Sequence, residues 1–161
     1  MNEMLMGRIT CIQEMMAAHR AEEEHPMIEV YLSFNGNAAE AAEYYAKQLD
    51  GQVSYILRFN DLPEVDKADM PAGAENLVMY ANVKTRVGDI MMSDMMPGTS
   101  VTPNEGVWIN FSSKDQERLR EAFDAMAGDG EVIMPLEKTF FSPLYGQLKD
   151  KFGFYWMFMS Y

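Results

Sequence analysis

The sequence contains few of the side chains that disulfides and metal centres require. It has one cysteine, Cys11, and two histidines, His19 and His25, among 161 residues. A single cysteine cannot form an internal disulfide, so we expect a cytoplasmic protein. No histidine follows position 25, which excludes Cys–His and Ser–His–Asp nucleophilic sets from the rest of the chain.

Long apolar runs and basic side chains are also scarce. No stretch approaches the roughly 18 apolar residues of a membrane-spanning helix. Glu3, Arg8 and Glu14 interrupt the first apolar segment, so we expect no secretory signal peptide. Thirteen basic residues against 25 acidic ones give a net charge of −12. Phosphates would be repelled, so we expect no nucleic-acid partner. The lack of a long apolar run predicts no membrane partner.

Methionine, in contrast, is abundant, with 16 residues. Thioether side chains fill irregular gaps in a core, and they also adapt to ligands of varied apolar shape. A methionine-rich core and a methionine-lined ligand pocket therefore both remain open at this point.

Residues 1–26 are predicted to form an N-terminal helical arm. Their apolar residues recur at spacings of three and four, which is typical of an amphipathic helix. The apolar stripe must be buried against the rest of the chain or against a partner subunit. A domain covering residues 27–161 is predicted to follow Pro26.

Two copies of a strand-helix-strand-strand-strand order are predicted, over about residues 28–94 and 106–161. In each copy a strand ending in Phe is followed by a helix, by Asp-Gly and by the next strand; the Asp-Gly pairs are Asp50-Gly51 and Asp129-Gly130. Asn37 and Ser113 are predicted as the helix N-caps. The acidic loop at residues 60–75 is long enough to predict a lid or a mobile segment.

Three stretches carry a resemblance to a known family. They are YLSFNGNAAEAAEYY, ANVKTRVGDIMMSDMMPG and PLEKTFFSPLYGQLKDKFGFYWM, which start at Tyr31, Ala81 and Pro135. The sequence resembles PhnB-like proteins of the vicinal-oxygen-chelate superfamily, which includes glyoxalase I, extradiol dioxygenases and bleomycin-resistance proteins. The resemblance implies an α+β fold in which two βαβββ modules form a curved mixed sheet around a cleft. It also implies a homodimer.

PhnB-like sequences often carry the label demethylubiquinone methyltransferase. Methyltransferases that use S-adenosylmethionine usually have a Gly-rich turn between a strand and a helix of a parallel α/β sheet. No such turn follows the first predicted strand, so we do not expect that cofactor.

Metal-dependent members of the superfamily bind their ion with His, Gln or Glu from four strands. The resemblance places those four positions at Glu29 or Tyr31, Met91, Trp108 and Met157. On the fifth strand Trp108 is the candidate, because Val107, Ile109 and Phe111 should face the helix. Thioethers are poor ligands for hard cations. We therefore expect no metal and no cofactor, unless a carboxylate such as Glu29, or His19 and His25 from the arm, supplies ligands.

The last strand is predicted to pack Phe154, Trp156 and Phe158 on a helix and to turn its other side towards the cleft. Asp94 is predicted to cap a turn rather than to act as a general base, and Glu137 to be solvated. The residues predicted to bind a ligand are mostly aromatic, sulfur-bearing or neutral polar. They are Tyr31, Met91, Ser93, Trp108, Asn110, Phe140, Phe141, Tyr145, Tyr155 and Met157.

Three functions follow from these observations. The first is a metal-free protein, of unassigned physiological role, that binds a small apolar or aromatic molecule in its cleft. The second is a metal-dependent lyase or dioxygenase with an unusual site. The third is a drug-sequestering protein of the bleomycin-resistance type, in which the acidic charge would attract cationic ligands.

Overall fold

The computed structural model describes residues 28–67 and 70–161, which form two βαβββ modules. The predicted N-terminal helix lies outside the described residues. The first module consists of β1 (Val30–Phe34), α1 (Ala38–Gln48), β2 (Gln52–Arg58), a 3-10 turn (Phe59–Asp61), the short α2 (Glu64–Lys67), β3 (Val78–Thr85) and β4 (Gly88–Asp94). The second consists of β5 (Trp108–Ser112), α3 (Gln116–Ala127), β6 (Glu131–Glu137), β7 (Tyr145–Lys149) and β8 (Tyr155–Met159).

The strands form two four-stranded mixed sheets with the same topology. Their orders are β1-β4-β3-β2 and β5-β8-β7-β6. The first strand of each module pairs in parallel with the last, and the other pairs are antiparallel. This confirms the predicted α+β class and the duplicated βαβββ order. Within one chain the strands belong to two separate sheets and not to one continuous sheet.

Alternation along each strand divides each sheet into a helix-covered side and an opposite side. On β8, Trp156 and Phe158 are buried while Tyr155, Met157 and Met159 are partly exposed. Phe158 packs edge-on against Phe123 of α3, with ring centroids 5.3 Å apart. The two sides of the last strand are therefore as predicted. Burying a side chain of this size contributes roughly 1.5–3 kcal/mol.

The helix-covered sides of the two sheets share one hydrophobic core. Phe34 of β1 lies 5.2 Å from Phe154, and Tyr45 of α1 lies 5.6 Å from Trp156, between ring centroids. Buried residues of both modules belong to this single cluster. The sides of the sheets that face away from the helices are called below the first and the second cleft face, after their modules.

The two modules begin their helices in different ways, and in neither does the predicted N-cap side chain accept a hydrogen bond from the first turn of the helix. The Asn37 side chain makes no capping hydrogen bond. Asp94 from β4 instead accepts hydrogen bonds from the backbone N–H groups of Gly36 and Ala38. At α3 the cap is Asp115, which accepts from the Arg118 N–H; the predicted cap, Ser113, accepts from the Asp115 N–H. At α1, the Asp94 side chain from β4 takes the place of the predicted cap. At α3, the helix begins two residues later than predicted, so Asp115 and not Ser113 is its N-cap.

Two glycines confirm the internal repeat at the level of backbone packing. A Cβ atom on Gly51 would lie 2.6 Å from the carbonyl oxygen of Lys84, and one on Gly130 would lie 2.5 Å from that of Lys149. Real Cβ atoms essentially never come this close, so both positions need glycine. Gly51 corresponds to Gly130, and Lys84 on β3 corresponds to Lys149 on β7.

The segment predicted as a 16-residue acidic loop contains two short helical elements. The 3-10 turn and α2 occupy its first half, and Arg58 fixes its base by donating a 2.7 Å hydrogen bond to the Asn76 carbonyl. Across residues 28–67 and 70–161, no helix is both long enough and apolar enough to span a bilayer.

Candidate functional site

Five of the predicted ligand-binding residues lie together on the second cleft face. The register pairs Trp108 with Tyr155 and Asn110 with Met157 across β5 and β8. Tyr145 on β7 lies on the same side, opposite Met159. Asn110 is exposed and the other four residues are partly exposed. The second sheet therefore presents an open surface of aromatic rings, a thioether and an amide.

A chain of hydrogen bonds crosses the centre of the second cleft face. The Gln147 Nε2 amide donates to the Tyr145 hydroxyl at 2.8 Å. That hydroxyl donates to the Met157 sulfur at 3.4 Å. Gln147 was not predicted as a site residue, although the register places it directly opposite Met157 on the neighbouring strand.

Aromatic side chains border this face at both ends. Trp108 and Tyr155 lie 5.1 Å apart between centroids, and the Trp108 Nε1 donates to the Glu105 carbonyl. At the other end, Phe141 packs edge-on on Tyr145 and on Phe140, each at 5.0 Å. Phe140 is fully exposed, so it extends beyond the face rather than lining it. Such pairs suit a flat apolar ligand.

The remaining predicted residues, Tyr31, Met91 and Ser93, lie on the first cleft face. Tyr31 is 47% exposed, Met91 is buried and Ser93 is partly exposed. The register places Tyr31 opposite Met91, and Met91 opposite Asn82. Asn82 is fully buried and donates to the Ser54 hydroxyl at 2.8 Å. The structure thus divides the predicted site between two sheets of the same chain.

The two cleft faces carry a repeated motif that the sequence prediction missed. Tyr80-Ala-Asn82-Val-Lys84 on β3 corresponds to Tyr145-Gly-Gln147-Leu-Lys149 on β7. Each amide lies opposite a methionine of the module's last strand, Met91 in one case and Met157 in the other. The signal in the sequence is local: in both strands a tyrosine, an amide and a lysine follow one another at every second position.

Three of the four positions that the resemblance assigns to metal ligands carry residues that fit a hard cation poorly, namely Met91, Trp108 and Met157. Glu29 precedes β1, and Tyr31 lies on that strand. Met91 lies on β4, Trp108 on β5 and Met157 on β8. Thioether and indole groups are weak ligands for such ions. Among residues 28–67 and 70–161, no three His, Cys, Asp or Glu side chains are grouped so that they could hold a metal.

Asp94, Glu137 and Val107, for which the sequence predicted an orientation or a role, lie at the ends of strands or beside them. Asp94 is buried and accepts from the backbone N–H groups of Gly36, Ala38 and Val78. It therefore binds backbone N–H groups as predicted, but at the start of α1 and of β3 rather than in a turn of its own segment. Glu137 ends β6 in an exposed position, as predicted. Val107, expected to face the helix, precedes β5 and is 73% exposed, so this expectation was wrong.

The strongest electrostatic perturbations lie in the core and not on either cleft face. Burial raises the pKa of the Asp150 carboxyl above its usual value of 3.8, although hydrogen bonds from Tyr45 and Trp156 oppose the shift. Burial also raises the pKa of Tyr45, and the neighbouring Asp150 charge adds to the effect. These groups join the two modules, and we assign them a structural role.

The two described cavities also lie outside the cleft faces. One of about 450 Å³ lies between the end of α1 and α3, where Lys47, Asp50, Arg118 and Glu121 contribute to its lining. Another of about 320 Å³ lies near the end of β1, beside Pro103 and Phe152. Arg118 bonds to Asp50 and to the Leu49 carbonyl, so it caps α1. Within the part of the chain that the structure describes, the second cleft face is open.

Comparison with known proteins identifies the family. Residues 26–159 match the family described as 3-demethylubiquinone-9 3-methyltransferase. Protein YjdN of Escherichia coli K12 is 34% identical over 133 residues, which cover 79% of this chain and 90% of that protein. These matches cover nearly all of both modules.

Solved structures agree with this assignment. Protein PA1353 from Pseudomonas aeruginosa is 32% identical with a TM-score of 0.74, covering 84% of this chain and 98% of that one. A PhnB protein from Bacillus cereus is 25% identical with a TM-score of 0.66, covering 84% and 100%.

A glyoxylase/bleomycin resistance protein/dioxygenase domain from Frankia sp. shares the fold, with a TM-score of 0.60 at 14% identity over 86% of this chain and 98% of that one. The chain therefore belongs to the PhnB-like 3-demethylubiquinone-9 3-methyltransferase family and has the glyoxalase/bleomycin-resistance fold.

Proposed function

We propose that this protein binds a small, flat, apolar or aromatic molecule on the second cleft face, without a metal ion. The observation that carries the proposal is the open row of Trp108, Tyr155, Met157 and Tyr145 on one rigid sheet. Their side chains leave apolar area partly exposed to water, and a ligand would gain by covering it. Sites on strands hold their side chains more rigidly than sites on loops.

The absence of a metal requirement is part of the proposal. It is supported by the residues at the four family positions, where Met91, Trp108 and Met157 offer no hard donor atom. Methyl transfer from S-adenosylmethionine is not proposed, because β1 leads into α1 through Asn35-Gly36-Asn37 and not through a Gly-rich turn.

We also propose that the functional unit is a homodimer. The helix-covered sides of both sheets pack on one core, so the cleft faces of one chain lie away from that core. A second copy could therefore set its first cleft face against the second cleft face of its partner. The mass in solution tests this, since a monomer in the ligand-binding preparation would contradict it.

The binding proposal is tested with N-phenyl-1-naphthylamine, an uncharged probe whose fluorescence rises in apolar surroundings. We expect saturable binding that Met157→Lys abolishes, because an ammonium group on the sheet would be buried by the probe. Val87→Lys is the matched control, since Val87 is exposed in the turn between β3 and β4 and the charge change is the same. Equal binding by both variants would contradict the proposal.

Binding of cationic drugs is a second candidate, favoured by the net charge of −12 and by the exposed Glu137 opposite Tyr145. Attraction between exposed charges weakens as salt is added. A cationic acridine dye should therefore bind less tightly at high salt, whereas unchanged affinity would remove this candidate.

A further inference from the structure

The centre of the second cleft face is a row of alternating amides and thioethers. Asn110, Met157, Gln147 and Met134 lie opposite one another on β5, β8, β7 and β6. All four side chains are at least partly exposed. A ligand lying on this face would therefore meet two carboxamides as well as apolar surface.

Two hydrogen bonds in this row orient the Gln147 amide and the Tyr145 hydroxyl. Gln147 uses Nε2 to donate to Tyr145, and Tyr145 uses its only proton to donate to the Met157 sulfur. Among the described residues, the Gln147 Oε1 accepts no hydrogen bond. Since a thioether is a weak acceptor, a ligand oxygen could displace the sulfur at little cost. The pair thus offers one exchangeable donor beside one open acceptor.

The row itself contains no charged side chain, and the charges beside it lie at its borders. Glu137, opposite Tyr145, is exposed at the end of β6. Lys149, two residues from Gln147 on β7, forms a salt bridge with Glu131 at 2.5 Å. That contact raises the pKa of the Lys149 ammonium, which stays charged. The centre of the face is therefore uncharged, and it suits a neutral ligand better than an ion.

The corresponding positions of the first module repeat the arrangement. Tyr80, Asn82 and Met91 occupy the registers of Tyr145, Gln147 and Met157. Asn82 is held by the Ser54 hydroxyl at 2.8 Å and by Asp89 at 3.3 Å. Both sheets thus place an amide, held by a hydrogen bond, beside a methionine. The amide of the first sheet, Asn82, is buried, whereas that of the second, Gln147, is partly exposed.

Resting on the proposed function, we propose that Tyr145 and Gln147 select planar, uncharged ligands that carry a carbonyl oxygen beside an N–H group, as in an aromatic lactam. The ligand oxygen accepts from the Tyr145 hydroxyl in place of the Met157 sulfur. The ligand N–H donates to the Gln147 Oε1. Trp108, Tyr155 and the methionines cover the ring faces.

The test compares three bicyclic probes of nearly equal shape: 2-quinolone, quinoline and naphthalene. We measure dissociation constants by ligand-observed NMR for the wild-type protein and for Gln147→Leu and Tyr145→Phe. Two hydrogen bonds of ordinary net strength predict about tenfold tighter binding of 2-quinolone than of naphthalene. Each variant should remove about threefold of that preference, measured as the ratio of the naphthalene to the 2-quinolone dissociation constant of the same variant. Ser112→Ala, on the same face but outside the row, is the matched control.

The outcomes separate this inference from the proposed function. If naphthalene and 2-quinolone bind equally to the wild-type protein, the face binds apolar ligands but the inference is wrong. If the preference exists and persists in both variants, other groups produce it and the inference is also wrong. If neither probe binds, the proposed function fails with it.

Discussion

The hydroxyl of Tyr45 on α1 donates a 2.6 Å hydrogen bond to the buried carboxylate of Asp150, which lies between β7 and β8. Asp150 also accepts from the Trp156 Nε1 at 2.8 Å and from the backbone N–H groups of Phe152 and Phe154 at 2.9 and 3.0 Å. One carboxylate of the second module thus binds the helix of the first. This link is one of the contacts that join the two modules around their shared core.

Replacing Tyr45 by Phe should destabilise the protein by about 1–3 kcal/mol, because a buried acceptor loses a donor. The free energy of unfolding in urea measures the effect. Tyr31→Phe is the matched control, since Tyr31 is exposed at the edge of the first sheet, and it should change stability by less than about 0.5 kcal/mol. Equal losses in both variants would contradict the assigned role.

The raised pKa of Asp150 predicts a definite pH dependence. Since its folded pKa lies above 3.8, the native state holds the proton more tightly than the unfolded chain. The contribution of Asp150 to stability therefore falls as pH rises from about 3.8 to the folded pKa and is constant above it.

Asp150→Asn removes this titration, so the wild type should lose stability relative to the variant across that window. Urea unfolding at a series of pH values measures the difference. A difference that rises with pH would show that the hydrogen bonds outweigh burial and that the folded pKa is lowered.

Gly51→Ala and Gly130→Ala should each destabilise the protein by about 1–3 kcal/mol, because the added methyl group collides with a backbone carbonyl. Gly128→Ala provides the control. There, the nearest atom to a new Cβ is 3.5 Å away and the backbone is helical. We expect that variant to be neutral or slightly more stable. Thermal unfolding of the three variants measures the contrast, and losses of the same size at all three positions would refute the packing argument.

Purified protein should contain no tightly bound metal ion, even after it is soaked with Zn, Ni, Mn or Fe and then desalted. Elemental mass spectrometry gives the ion content per chain. One ion per chain would overturn the metal-free proposal. It would direct attention to Glu29 and to His19 and His25, and would favour the lyase or dioxygenase alternative.

Local patterns predicted the fold well because its signals lie within single modules. Alternation in β8 correctly assigned Trp156 and Phe158 to the core and Met157 to the open side. The Asp-Gly pairs correctly marked the repeat. The sequence did not show whether the two modules form one sheet or two. That depends on which edge strands pair with each other, and these strands lie far apart in the sequence.

The candidate site was predicted less completely than the fold. Aromatic and sulfur-bearing residues were selected, whereas Gln147 looks like an ordinary polar residue of a strand until the register places it beside Met157. The sequence predicted that Asp94 caps a turn, but not that its side chain caps α1, because Asp94 and α1 meet only through tertiary packing. In both cases the relevant contact lies between strands or between a strand and a helix.

Two-dimensional ¹H–¹⁵N NMR with 2-quinolone and with naphthalene shows directly which surface of the protein binds the probes. The account predicts that saturating shifts concentrate on the amides of β5, β7 and β8, around Asn110, Gln147 and Met157. Saturating shifts confined to the cavity between α1 and α3, or no shifts with either probe, would contradict it.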